Sequence, residues 1–284
     1  MQNRLLIIGT ASLDRLHLPT HGQAGVAHAA GGAGLYTALA AQRAGGRTHL
    51  WAPRPDPMPP LLQPVAERVN WSGPPIAPAE LPHLEIVHHG EGRATLLHAS
   101  WGAELQLVPE RLPSDLHQTD IIHIAALSTA QRQLEFVQAI QAARGVNRHP
   151  RISVGTYARL VQGETAVVRQ LIEYADFFFM NENEAKGLWG QVEHAHTRPD
   201  ACLFITLGAQ GALVMRGNEV THVPGHATVE VDPTGAGDTF CGATLARSAR
   251  GESPVTAAQY AVALAAQTVS AIGPAALLGQ KLDK

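Results

Sequence analysis

Between residues 121 and 206 the chain alternates short apolar runs, at 121–125, 152–155, 177–180 and 203–206, with helical patterns near 131–143, 164–174 and 183–189. Runs of four or five residues without polar alternation fit strands buried on both faces. Strands separated by single helices of this length run parallel, with the helices packed on the faces of the sheet. The fold class that follows is α/β, a central mostly parallel sheet with helices on both faces.

The flanking segments extend that sheet and depart from it. Residues 5–9 and 48–52 are two further buried runs, with a helical pattern at 35–44 stopped by Gly45-Gly46 between them. Residues 213–216 and 219–223 flank Gly217-Asn218 as a tight hairpin. A long helix over 256–272 ends at Gly273-Pro274, and the proline-dense stretch 53–82 reads as irregular connection around a short helix near 61–69. Residues 84–89 and 94–98 alternate about Gly90-Glu91-Gly92-Arg93, a hairpin outside the strand–helix series. With the alternating segment 16–29 it can form a small antiparallel sheet off the main body, contributed by about 15–30 and 84–99 of a single 1–284 domain and usable as a lid or as a homodimer surface.

Composition removes several function classes. Twenty-four acidic and 21 basic residues give a net charge of −3, with no polybasic run, so no electrostatic footprint for nucleic acid exists. The apolar start of the chain is too short for a signal peptide and the alanine-rich 257–272 is interrupted by glutamines, so no membrane segment is expected. Two cysteines, Cys202 and Cys241, both in apolar segments, suit small core residues in a reducing compartment, which makes the cytoplasm the expected location. The fifteen histidines are scattered without the converging ligand cluster that zinc requires.

Chemistry concentrates in VDPTGAGDTFCGAT, residues 231–244. Gly235, Ala236 and Gly237 leave backbone amides bare where a helical run begins at Thr239, and bare amides at a helix N-terminus favour an anion. Asp238 beside them is either a general base or the N-cap of the helix, since Asp is a preferred cap. Other clusters follow predicted strands. Asp14 lies past the first one, as a turn-former or an acceptor of substrate hydroxyls. The cluster Asn181-Glu182-Asn183-Glu184 either caps the next helix or holds hydrated Mg²⁺ through its carboxylate pair. Thr206, Gly208 and Gly211 make a nucleotide turn or a hairpin entry, and Gly31, Gly32 and Gly34 let the backbone pass close to a ligand. All fall at the same edge of one sheet.

With those residues in place the chain resembles the ribokinase-like, PfkB-type carbohydrate kinases over nearly its whole length. DPTGAGDTFCG is similar to the family's D-x-T-G-A-G-D-x-F-x-G signature. The resemblance implies ATP-dependent phosphorylation of a small hydroxyl-bearing substrate, with Asp238 as base and the Gly235, Ala236 and Gly237 amides as anion hole. It also implies Thr206, Gly208, Gly211 and Thr234 at the nucleotide, Asn181 and Glu184 in the Mg²⁺ environment, Asp14 on sugar hydroxyls and Asp232 with Thr234 near a K⁺ site. Tyr36 stands where the family's G-G-x-G-x-N sugar motif has Asn, and the strand ending at 125–127 lacks a common acidic residue. A sugar, a small polyol or cyclitol, or a nucleoside therefore fits, held by Asp14, Gly31 and Gly32 with Tyr36 or Arg93 assisting. A catalytically silent metabolite-binding regulator on the same fold is the alternative that the altered motif leaves open. A dinucleotide-dependent oxidoreductase is disfavoured because no G-x-G-x-x-G follows a strand.

Overall fold

A computed structural model describes residues 3–18, 25–90, 93–144 and 149–279. In chain order the strands are β1 (Arg4–Ile8), β2 (Ser12–Leu18), β3 (Gly25–Gly31), β4 (Arg47–Trp51), β5 (Arg54–Pro55), β6 (Asn70–Ser72), β7 (Pro75–Ile76), β8 (His83–Gly90), β9 (Arg93–Ser100), β10 (Ile121–Ile124), β11 (Arg151–Gly155), β12 (Phe177–Asn181), β13 (Cys202–Thr206), β14 (Gly211–Arg216) and β15 (Glu219–Pro224). The helices are α1 (Ala33–Arg43), α2 (Gln63–Ala66), α3 (Ala130–Ala143), α4 (Ala158–Gly163), α5 (Thr165–Tyr174), α6 (Glu182–Trp189), α7 (Ala236–Ala249) and α8 (Pro254–Thr268).

Nine strands form the main sheet in the order β15-β14-β13-β12-β11-β10-β1-β4-β6. From β13 to β6 every pairing is parallel, and the β14–β15 hairpin closes one edge antiparallel. The uninterrupted apolar runs are explained by burial on both faces: Leu5 and Ile7 point into one core with α1, α7 and α8, while Leu6 and Ile8 join the other with α3, α5 and α6. Each such fully buried Leu or Ile contributes about 1.5–3 kcal/mol. All four are at most 2% exposed, so the centre of the sheet is fixed on both sides.

Capping sets where the helices begin. Thr129 accepts from the Arg132 amide at the start of α3, and Ser253 does the same for α8, with Pro254 at its first position. Several expected bounds move for local reasons. The helix expected at 61–69 shrinks to the four residues of α2 among Pro59, Pro60 and Pro64, and the chain leaves it for strand β6 at the sheet edge. The last helix runs 254–268, and α4 occupies a connection in which no helix was expected.

The second sheet has the order β3-β2-β8-β9. Its two hairpin pairings are antiparallel, as the alternation implies, and they are joined by a parallel β2–β8 pair. β2 leaves the end of β1 directly and β3 runs straight into α1. The small sheet is thereby tied to the carboxyl edge of the central strands, where the site residues collect. The turn residues Glu91 and Gly92, the side chain of Arg93 and the 19–24 connection lie outside the described residues.

Candidate active site

A cleft of about 260 Å³ opens between the carboxyl edge of the main sheet, the start of α7 and the second sheet. Its lining brings together Asp14, Gly32, Tyr36, Asn181, Glu184, Thr206, Thr234, Gly235, Gly237 and Asp238, which the sequence scatters over 225 positions. Gly31, Ala236, Gly208, Gly211 and Asp232 stand behind that lining. Gly31 lies under Asp14: a Cβ there would sit 1.8 Å from Asp14 Oδ2, so the bare backbone makes room for the carboxylate. Gly208 and Gly211 shape the tight turn from β13 into β14, where a Cβ on Gly211 would come within 2.1 Å of the Val223 carbonyl. Their structural part is the hairpin entry, while Thr206 faces the cleft.

At the start of α7 the geometry separates the two readings of Asp238. The N-cap is Gly235, in the left-handed region at φ 74°, and it leaves Asp238 at the third helical position with no capping bond. The helix therefore begins at Ala236, three residues earlier than expected. The Ala236 amide is turned back onto the Pro233 carbonyl at 3.3 Å, whereas the amides of Gly235 and Gly237 have no hydrogen-bond partner among the described residues. The open donors are thus two of the three expected. A Cβ added at Gly237 would meet nothing within 4 Å, which leaves a bare, amide-lined cradle.

Burial decides the electrostatics. Asp238 is pushed up to about 7 by desolvation. The helix N-terminus pulls the other way, but it is worth about 0.3–1 kcal/mol, less than one pKa unit, and loses. Asp14 is also raised to about 7, chiefly by burial. Ser12 and the Leu84 backbone approach its carboxylate closely enough to lower the value a little, yet both oxygens lack a hydrogen-bond partner of good geometry. Glu184 is raised to about 8 by burial, with the nearby Asp238 charge adding a smaller push. It forms a capping box with Asn181: its Oε2 accepts from the Asn181 amide at 2.9 Å, and Asn181 Oδ1 accepts from the Glu184 amide at 2.9 Å. The cap is real, and it holds Glu184 at the cleft wall opposite Asp238.

Tyr36 connects the two ends of the site. A Cβ on Gly235 would lie 2.4 Å from its ring, so the ring packs directly on the turn. Its hydroxyl is buried without a partner, and its pKa is driven up by burial and by Asp232, Asp14 and Asp238. The close crossing of α1 and α7 holds this contact, since a Cβ on Gly242 would overlap the Thr37 carbonyl at 2.1 Å. Asp232 is held behind the turn by two backbone amides. Its Oδ1 accepts from the Thr234 amide at 2.9 Å and its Oδ2 from the Gly273 amide at 2.7 Å.

Several lining residues escaped the sequence. His123 interrupts the apolar run of β10; its Nδ1 lies 2.8 Å from Ser153 Oγ, and burial lowers its pKa to about 3, which keeps it neutral. Its polarity within an otherwise apolar strand was the available signal. Cys241 packs against it with Sγ 3.7 Å from the ring nitrogens. Trp101, at the exit of β9, and Tyr157, just past β11, also line the cleft, and neither sits in a recognisable motif.

A parallel α/β sheet with open amides at a helix start, a partly buried carboxylate beside them and a second sheet over the strand ends is an arrangement suited to phosphoryl transfer. The comparisons agree. The chain matches the pfkB family carbohydrate kinases over residues 2–280, and it belongs to that family. A cytidine kinase from Thermococcus kodakarensis is 26% identical over 257 residues, 87% of this chain and 89% of the relative. Among solved structures, a probable sugar kinase from Rhizobium etli superposes with TM-score 0.81 at 18% identity, covering 96% of this chain and 95% of that one. The ribokinase from Cryptococcus neoformans in complex with ADP gives 0.77 at 19% identity, with 97% and 96% covered. The protein is accordingly a PfkB-type kinase that uses ATP and acts on a small carbohydrate or nucleoside. No described helix is long and apolar enough to cross a membrane.

Proposed function

We propose that the protein transfers the γ-phosphoryl group of ATP to a hydroxyl of a small, carbohydrate-like acceptor, with Asp238 as the general base. The observation that carries this is the placement of a partly buried carboxylate at the third position of α7, beside the open amides of Gly235 and Gly237 and in one cleft with the unpartnered Asp14. Asp14, with Gly31 and Gly32 behind it and Tyr36 and Arg93 assisting, takes the acceptor hydroxyls. Thr206 and Thr234 face the nucleotide, with Gly208 and Gly211 shaping its turn. Asp238 draws the proton from the attacking oxygen, and the Gly235 and Gly237 amides stabilise charge on the phosphoryl oxygens in flight. Positioning and electrostatics supply most of the rate.

Mg²⁺ fits the donors present. Glu184 and Asp238 are two acidic groups facing one cleft, and Glu184 with Asn181 can hold the ion through water while the nucleotide phosphates supply the rest of its shell. When bound, the ion neutralises phosphate charge that the two carboxylates would otherwise repel. A monovalent cation at Asp232 would have to use the lone pairs that remain after its two carboxylate oxygens accept the Thr234 and Gly273 amides and face His88. No step is assigned to K⁺.

The second sheet closes over the acceptor as a lid, and exposed Val26 and Leu97 on it are the surface through which a homodimer would form. Buried thiols at Cys202 and Cys241 suit the reducing cytoplasm. The decisive experiment is ATP turnover with Asp238→Asn on the best acceptor. A loss of roughly 10²- to 10⁴-fold is expected for a general base, and an unchanged rate would sink the assignment.

A further inference from the structure

Trp101 and Tyr157 meet at the wall of the cleft with ring centroids 6.1 Å apart and planes tilted by 52°, an aromatic corner that no step of phosphoryl transfer uses. One ring comes from the exit of the lid strand β9 and the other from the turn that follows β11 in the main sheet, so the corner spans the two sheets. Leu84 and Leu96 of the lid continue its apolar surface into the cleft. The corner is anchored behind Trp101: Glu104, fully buried, accepts from Arg132 Nε at 2.8 Å and from the Ser128 amide and hydroxyl. Both rings are half-buried, so each retains surface that a ligand could cover.

The charges lining the same cleft constrain the ligand further. Asp14, Glu184 and Asp238 are there, His123 is held neutral, and none of the described lining side chains is a lysine or arginine. Among the described lining residues, an acceptor already carrying phosphate or carboxylate would meet three acids and no cationic side chain. The two unpartnered oxygens of Asp14 ask instead for neighbouring hydroxyls. A free pentose satisfies Asp14 and leaves the aromatic corner against water, whereas a planar ring attached to the pentose covers it.

We infer that the acceptor is an uncharged nucleoside, its sugar hydroxyls on Asp14 and its heterocyclic base seated against Trp101 and Tyr157. The inference rests on the kinase reading of the site, and it differs from that reading in what would defeat it. Base-on-aromatic contacts are sequence-tolerant and strong enough that losing one ring should raise the nucleoside KM by about ten-fold or more.

The test pairs binding with turnover on the full chain. Calorimetric titration with cytidine, uridine, inosine and adenosine is compared with ribose, myo-inositol and fructose 6-phosphate, and ATP consumption is measured on the same panel. At least one nucleoside is expected to bind more tightly and react with higher kcat/KM than any free sugar or polyol, with no binding of the sugar phosphate. Trp101→Ala should raise the nucleoside KM more than it lowers kcat and leave the ATP KM unchanged, and Trp101→Phe should restore much of the loss. Tyr157→Leu gives an independent check should Trp101→Ala fold poorly. Ribose or myo-inositol outcompeting every nucleoside, or a nucleoside KM indifferent to both aromatic substitutions, overturns the inference while leaving the kinase reading intact. Nucleoside binding without turnover on any acceptor would support the subsite and overturn the kinase reading instead.

Discussion

His88 Nε2 lies 3.4 Å from Asp232 Oδ1 and 3.2 Å from Thr234 Oγ1, a contact in which a strand of the second sheet grips the loop entering α7. The His88 side chain is 1% exposed and that of Asp232 is fully buried, so water competes for neither. Desolvation lowers the histidine pKa and the Asp232 charge only partly opposes it, which favours a neutral ring that donates from Nε2. The contact ties the second sheet to the turn that carries the open amides.

The three contacts already made by the Asp232 carboxylate lead to a direct expectation about ions. Replacing KCl by choline chloride at constant ionic strength should leave kcat/KM unchanged. His88→Ala should weaken acceptor binding more than ATP binding, because it releases the lid strand while the Thr234 and Gly273 amides still hold the loop. A strong K⁺ requirement in the wild type would show that the Asp232 environment rearranges on substrate binding.

Two acids in the unliganded cleft, Asp14 and Asp238, are each pushed to about 7. Both must be ionised for the proposed chemistry, so kcat/KM should fall on the acid side of about pH 7 with a log–log slope approaching about two. In Asp14→Asn the residual activity should show a one-proton limb. A flat profile between pH 5.5 and 8 would remove both assignments together.

The same shifts oppose stability. The folded pKa of Asp14 is raised from 3.8 to about 7, so the folded state holds the proton more tightly than the unfolded one. That contribution is fully present below pH 3.8 and is lost as pH rises through about 7. Asp14→Asn keeps the shape without the charge. Its Tm should exceed the wild type at pH 8.5, with a smaller gap at pH 5.5, while acceptor phosphorylation is lost, the trade expected of a binding site built at the expense of stability. Thermal scans of the two proteins at both pH values test the sign.

The proposed phosphoryl end of the cleft could be singled out in the sequence because its residues are local. Residues 232–238 carry the turn, the amides and the carboxylate in one stretch, and the main sheet announces itself through runs too apolar to face water on either side. The acceptor end is assembled differently. Asp14, Tyr36, His88, Trp101, His123 and Tyr157 come from six separate elements or turns; Asp14 and Tyr36 stand next to readable motifs, whereas Trp101 and Tyr157 have ordinary sequence neighbourhoods. His88 is one of a histidine pair in an alternating strand, and only the pairing of β8 with β2 turns it toward Asp232. Helix bounds moved wherever proline or glycine geometry overrode periodicity, as at α2 and at the left-handed Gly235 that starts α7.

Gly235 and Gly237 should respond in opposite ways to the same substitution. At Gly235 an alanine must adopt φ 74° and place its Cβ 2.4 Å from the Tyr36 ring, which is buried and cannot retreat. The backbone alone costs about 1–3 kcal/mol, and the clash adds to it, so Gly235→Ala should lower Tm and abolish turnover. At Gly237, in the first turn of α7, the added methyl meets no protein atom within 4 Å, and replacing glycine by alanine at a compatible backbone conformation stabilises by about 0.4–1 kcal/mol through the unfolded chain. Gly237→Ala should therefore keep or raise Tm while the methyl occupies the cradle where phosphoryl oxygens must approach, lowering kcat without loss of acceptor binding. Measuring Tm, acceptor Kd and kcat for both variants separates a fold requirement at Gly235 from a chemical one at Gly237. Wild-type kcat in Gly237→Ala would mean that the phosphoryl group does not approach this turn.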